Sequence, residues 1–194
     1  MIRPNDLLLD PKGDIVEQLN TDSQQIINDL VISLGITSST ESVKESLKAD
    51  NSITLANGLY GGWFSSKDGS VYKGIGASTK VTKLVEIKAD CIIDGIHFVG
   101  DDIEWLVFIN IGSTVVFRNC IFEKRGGNEG AYIALAAPGT GGVVAKANFI
   151  GCVFQGPNTG ILFLNPGPAA NVNTIGCYDK TGIGFAGTTG VGNL

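Results

Sequence analysis

The chain has 194 residues, enough for one ordinary domain with a small appendage. Its 14 basic and 19 acidic side chains leave a net charge of −5 with no Lys/Arg run, which excludes an electrostatic footprint for nucleic acid or an anionic membrane. No stretch approaches the roughly 18 to 20 apolar residues of a bilayer span, and Arg3, Asn5, Asp6 and Asp10 interrupt any leader-like run. A soluble product made in a cytoplasm is expected.

Met1 to Asp10 reads as an irregular arm. Ile15, Val16, Leu19, Ile26, Ile27, Leu30, Val31 and Leu34 then recur at three- and four-residue intervals, which predicts a helix over 14–34 that stops at Gly35. Its centre, Asp22 to Gln25, is polar, so the helix needs a partner surface against Leu19, Ile26 and Leu30. Equivalent helices of two other chains would supply one; so would the end of the following domain. A second helix is expected over 39–48, where Ser38 and Glu41 suit a capping box and Val43 and Leu47 form one stripe. The expected division is an arm with an anchoring helix over 1–37, a capping helix over 38–50 and an all-β domain over 51–194.

After the second helix come Ile53-Thr-Leu55 and Gly58-Leu-Tyr60. That order resembles the opening of pectin-lyase-like parallel β-helices, and the resemblance implies that the helix plugs the first coil. The first rung of a solenoid exposes an apolar cross-section and an unpaired strand edge, which a cap must cover.

Four segments superpose: Asp94-Gly-Ile-His-Phe98, Arg118-Asn-Cys-Ile-Phe122, Ile150-Gly-Cys-Val-Phe154 and Ile175-Gly-Cys-Tyr-Asp179. Their starts lie 24, 32 and 25 residues apart, the length of one turn of a three-sided β-helix. The second position holds Gly95, Asn119, Gly151 and Gly176, the residue types that best tolerate a left-handed backbone at a sharp bend. The third stacks Ile96, Cys120, Cys152 and Cys177, and the fifth stacks Phe98, Phe122 and Phe154 before breaking at Asp179. A second ladder joins 106–112, 133–139, 161–167 and, more weakly, 182–187. A third joins 114–117, 143–145 and 171–173. Three ladders in fixed order predict a short right-handed single-stranded parallel β-helix of four to five coils with three sheets. An antiparallel sandwich also shows many short strands, but it does not predict a Gly/Asn column in register.

The middle ladder is apolar on both parities: Val107, Ile109 and Ile111 against Leu106 and Phe108, and Ile161 and Phe163 against Leu162 and Leu164. Strands apolar on both faces are covered on both faces. The expected cover is a partner chain on Leu106, Phe108, Leu162 and Leu164 in a homotrimer; the N-terminal arm folding back is the alternative.

The chemistry-bearing residues are sparse. His97 is alone between inward Ile96 and Phe98, so it is expected to point outward as a polar surface residue. Asp101, Asp102 and Glu104, with Asp94 before them, are the best carboxylate cluster, and they read as a soluble turn; Glu123 and Asp179 fall on separate coils. Trp63 is the candidate for an exposed aromatic contact or a staple over the first coil, and Trp105 for core or interface. Cys91, Cys120, Cys152 and Cys177 match no zinc spacing and read as small buried hydrophobes. No catalytic, cofactor or metal site is expected.

A short β-helix, a helical arm and an oligomeric face together resemble the trimeric virion proteins of tailed bacteriophages, which use β-helices in tailspikes, fibres and capsid decoration. The resemblance implies a structural virion protein, foremost a decoration or cement protein bound to the major capsid protein or another virion protein. The alternatives it leaves are a short tail spike or fibre that binds a host surface glycan, and a polysaccharide lyase or hydrolase using Asp101 and Asp102.

Overall fold

The computed structural model describes residues 36–37, 51–100, 105–125, 131–136, 144–156, 162–164, 171–185 and 188–194. A two-residue strand β1 (Ile36–Thr37) stands first. The coils then follow in chain order. The first holds β2 (Ser52–Leu55), β3 (Gly58–Tyr60) and β4 (Phe64–Ser65), the next β5 (Ser70–Val81) and β6 (Val85–Ile87), and the third β7 (Cys91–Gly100) and β8 (Val107–Ile109). The fourth has β9 (Thr114–Arg118), β10 (Ile121–Lys124) and β11 (Ile133–Leu135), and the fifth β12 (Lys146–Ile150), β13 (Val153–Gln155) and β14 (Phe163–Leu164). Strands β15 (Val172–Ile175), β16 (Tyr178–Asp179) and β17 (Thr189–Val191) complete the series.

All pairings among β2 to β17 are parallel, which rules out the antiparallel sandwich. The larger sheet runs β2-β5-β7-β9-β12-β15-β17, with β3, β10, β13 and β16 joined beyond a bend; β4, β6, β8, β11 and β14 make the smaller one. This is a parallel β-helix-like architecture. The three expected ladders form two hydrogen-bonded sheets, because β5 and β7 run through the bend and join the first two faces. The first face carries seven rungs where the sequence repeats suggested four to five coils. The early rungs lack the Gly-Cys-x-Phe signature, and the last substitutes Asn193, whose Oδ1 accepts a bond from the Cys177 backbone N–H at 3.0 Å. The third ladder is also shifted in one coil: Thr114 pairs with Lys146, three residues beyond the expected Val143.

The bend is where the repeat placed it. Gly95, Asn119, Gly151 and Gly176 have φ of 64°, 50°, 60° and 57°, and Gly192 continues the column at 64°. Asn119 carries the positive φ at lower cost than a β-branched residue would, and its Nδ2 donates to Asp94 Oδ1 at 3.1 Å. Alternation along the strands sends Val115 and Phe117, then Ala147 and Phe149, into one core shared by all three faces. Two columns of rings run through it: Phe98, Phe122 and Phe154 stack at 5.0 Å per step, and Phe117 on Phe149 at 4.9 Å. The column breaks at Asp179, which accepts bonds from the Thr181 N–H (2.8 Å), the Thr181 hydroxyl (2.6 Å) and the Gly184 N–H (2.6 Å), while Phe185 closes edge-on over Phe154.

No α-helix occurs among the described residues. The anchoring helix with Leu19, Ile26 and Leu30, and the capping helix over 38–50, lie outside them.

Candidate functional site

The smaller sheet turns one column of side chains inward and one outward. Val107 and Ile109 are fully buried, and register places Phe64, Glu86, Phe108, Ala134 and Leu164 in a single column, which faces outward except at Ala134, 1% exposed. Phe64 is 53% exposed and Leu164 42%, and Phe108 is half-buried. The Trp105 ring, 37% exposed, stacks on Phe108 with centroids 5.2 Å apart and planes 22° from parallel. Between the aromatic positions lies a polar belt. Asn110 Nδ2 donates to Glu86 Oε1 at 2.8 Å, Lys88 Nζ sits 3.2 Å from Glu86 Oε2, and the same ammonium lies 4.3 Å above the Phe64 ring. The Asn110 bond, opposed by slight burial and aided by Lys88, holds the Glu86 carboxyl below its usual range.

Of the four residues expected at an interface, only Phe108 and Leu164 face outward here. Leu106 and Leu162, 5% and 2% exposed, sit in the core of the one chain. They occupy the corners just before β8 and β14, where strand parity no longer decides which way a side chain turns. Trp63 is likewise buried, its ring 5.2 Å from Tyr72, so it is a core residue and not an exposed contact. All four cysteines are free and buried, as expected of small hydrophobes.

A second constellation lies on the outer side of the second face. His97 is not the surface residue that alternation suggests: it is 5% exposed, and its Nε2 lies 2.9 Å from Glu123 Oε2 one rung away. Gln155 Nε2 donates to the same oxygen at 3.0 Å, and Arg125 Nε donates to Oε1 at 2.8 Å. Burial works to raise the Glu123 pKa, but the bonds from Arg125 and Gln155, with His97, hold it below its usual range. An open depression of about 340 Å³ lies against Glu123, Lys124, Arg125, Gln155 and Gly156. This cluster was present in the repeats: the sixth position reads Val99, Glu123, Gln155 and Lys180, polar in the last three copies.

Asp101, Asp102 and Glu104 lie outside the described residues. Asp94 is bonded to Asn119 and stands 4.0 Å from Arg118. Among the described residues no group of three or more His, Cys, Asp or Glu side chains is arranged to hold a metal ion. No protein-family model, curated protein or solved structure matches the chain.

Proposed function

We propose that the chain is a non-enzymatic structural protein that assembles side by side into a homotrimer through the outer face of its smaller sheet. We take the solenoid to be right-handed and pectin-lyase-like, the hand that nearly all parallel crossovers adopt. The observation that carries the reading is the outer column: Phe64, Phe108 with the stacked Trp105, and Leu164 hold large apolar side chains on a sheet whose inner face is already committed to the core. A run of this kind gains by leaving water, roughly 25 cal/mol for each Å² of apolar surface covered. A second copy, with the same parallel sheet, is the occupant we favour. The resemblance to trimeric phage proteins suggests the extension we adopt, a head-decoration protein of the virion bound to the major capsid protein or another virion protein.

Light scattering on the full chain tests it. The expected mass is three times 20.3 kDa, falling to one protomer in Phe108→Asp with the β-sheet circular dichroism retained. A wild-type monomer at all concentrations refutes the reading. A trimer lost on removal of residues 1–37 would move assembly to Leu19, Ile26 and Leu30.

The Trp105–Phe108 pair beside the Glu86–Asn110 bond also favours a second reading, a short spike or fibre whose aromatic platform stacks on a host glycan. Binding on a glycan array that Trp105→Ala abolishes would select it.

A further inference from the structure

His97 is the one histidine in the chain, and its burial needs a cause, since its position in the repeat points away from the core. The cause is an irregularity in β5. Lys73 pairs with Asp94, Gly76 with Ile96 and Lys80 with His97. Ala77, Ser78 and Thr79 therefore stand opposite a single step of β7; Ala77 and Ser78 are exposed beside the imidazole, while Thr79 is fully buried and pairs with Gly58 of β3. The sequence Gly74-Ile-Gly-Ala-Ser-Thr79 allows this: Gly76 takes φ of 62°, and a Cβ on Gly74 would clash with the Gly95 carbonyl oxygen. One side chain fastens the bulge. Thr79 Oγ1 accepts the Ile75 N–H at 2.9 Å and donates to the Ala56 carbonyl at 3.1 Å. Ile75, Ala77 and Ser78 are exposed, so little buried apolar contact holds the segment down.

The ring beneath it is in a position that suits neither protonation state fully. Nε2 faces the Glu123 carboxylate, and Nδ1 is buried without a hydrogen-bond partner of good geometry. The nearby Ala77 backbone favours the charged ring, as a carbonyl does. A neutral imidazole has one N–H to give, and Glu123 takes it. A second proton would suit Ala77, but the ring would then carry its charge out of water. Burial dominates and, with help from Lys80, lowers the His97 pKa against the opposing pull of Glu123. The charged groups around the ring are thus Glu123, with Arg125 bonded to it, from β10 and the residue after it, and Lys80 from β5; β13 presents the uncharged Gln155.

We propose that the Gly74–Thr79 bulge is an acid-released latch over His97, closed while the imidazole is neutral and opened as it takes up a proton. Opening admits water to the ring, which then binds a proton as readily as a free imidazole. Acid must raise the open population by the ratio of proton binding in the two states. At one pH unit below the ordinary imidazole value, that ratio reaches at most about tenfold.

Two measurements on the full chain decide it. Proton NMR of the single imidazole should show it titrating below 6.5; titration at or above that value overturns the latch, and this needs no variant. Amide deuterium exchange over residues 74–79, corrected for the intrinsic pH dependence of exchange, should show opening rising from pH 7.5 to 5.5, by no more than about tenfold. In His97→Gln the same segment should open independently of pH. A flat wild-type profile, or an equal rise in the variant, overturns the proposal.

Discussion

Phe122 sits at the middle of the ring column, and truncating it tests whether the stacks carry the solenoid. It is fully buried. It stacks on Phe98 and Phe154 at 5.0 Å each, and meets Phe117 and Phe149 edge-on at 5.3 and 5.7 Å. Burying such a side chain is worth about 1.5–3 kcal/mol, and each aromatic pair adds about 0.5–1.5 kcal/mol. The rungs on either side are pinned by their own hydrogen bonds and can close only part of the cavity. Phe122→Ala should therefore cost roughly 3–5 kcal/mol, lowering Tm by roughly 6–20 °C for a chain of this size. Urea unfolding followed by circular dichroism measures the first and calorimetry the second. Phe185→Ala is the control: Phe185 is half-buried, and its recorded ring contact is with Phe154 at 5.9 Å. A Phe122→Ala cost below about 1.5 kcal/mol, or one equal to the control, would refute the idea that the column is the structural spine.

Gly176→Ala should cost about 1–2 kcal/mol by urea unfolding, because φ is 57° and nothing lies within 4 Å of the added Cβ, so the loss is backbone strain alone. Gly156→Ala should cost more, since its Cβ would also clash with the Lys124 carbonyl oxygen. The buried thiols should ignore a thiol reagent such as DTNB in the native protein and all four should react on unfolding; burial first pushes the Cys91 thiol up to about 12. Glu123 has its pKa depressed in the fold, so its stabilisation is complete above the unfolded value of 4.5 and is lost as pH falls through the lower folded one. Glu123→Gln should flatten the acid limb of the stability profile below pH 4.5. Asp179→Ala removes the acceptor of three hydrogen bonds and should cost about 1–3 kcal/mol, with Asp179→Asn in between, by the same unfolding assay.

Much of the solenoid was legible because a parallel coil writes the same demand at the same place in each turn. The Gly/Asn column marks a backbone conformation that few residues accept, so Gly95, Asn119, Gly151 and Gly176 stood out before any packing was considered. The side on which a residue lies was harder to read. Leu106 and Leu162 belong to corners, where alternation gives no parity, and they turned inward. His97 has an outward parity and is buried all the same, because the cause is a bulge in a different coil whose extra residues no period predicts. The Glu123–Gln155 pairing was less legible for a simpler reason: it lies at the sixth position, one beyond the Gly-to-Phe signature, where the first copy carries the apolar Val99.

The changing chemistry of the core columns explains why the repeat fades toward the last rungs. Register carries Phe117 to Phe149, then to Thr174 and Gly190; the second column passes from Phe154 to Asp179, and the third from Cys177 to Asn193. Each apolar column gives way to a hydrogen-bonding side chain, Thr174, Asp179 or Asn193, and the bonds are made. Asn193 Nδ2 donates to Thr174 Oγ1 at 2.8 Å, Thr188 lies 3.4 Å from the same oxygen, and Asp179 gathers the 181–184 turn. A polar group in a core column needs hydrogen-bond partners, and here the adjoining turns supply them. The break at Asp179 is thus part of the same design that stacks the phenylalanines above it.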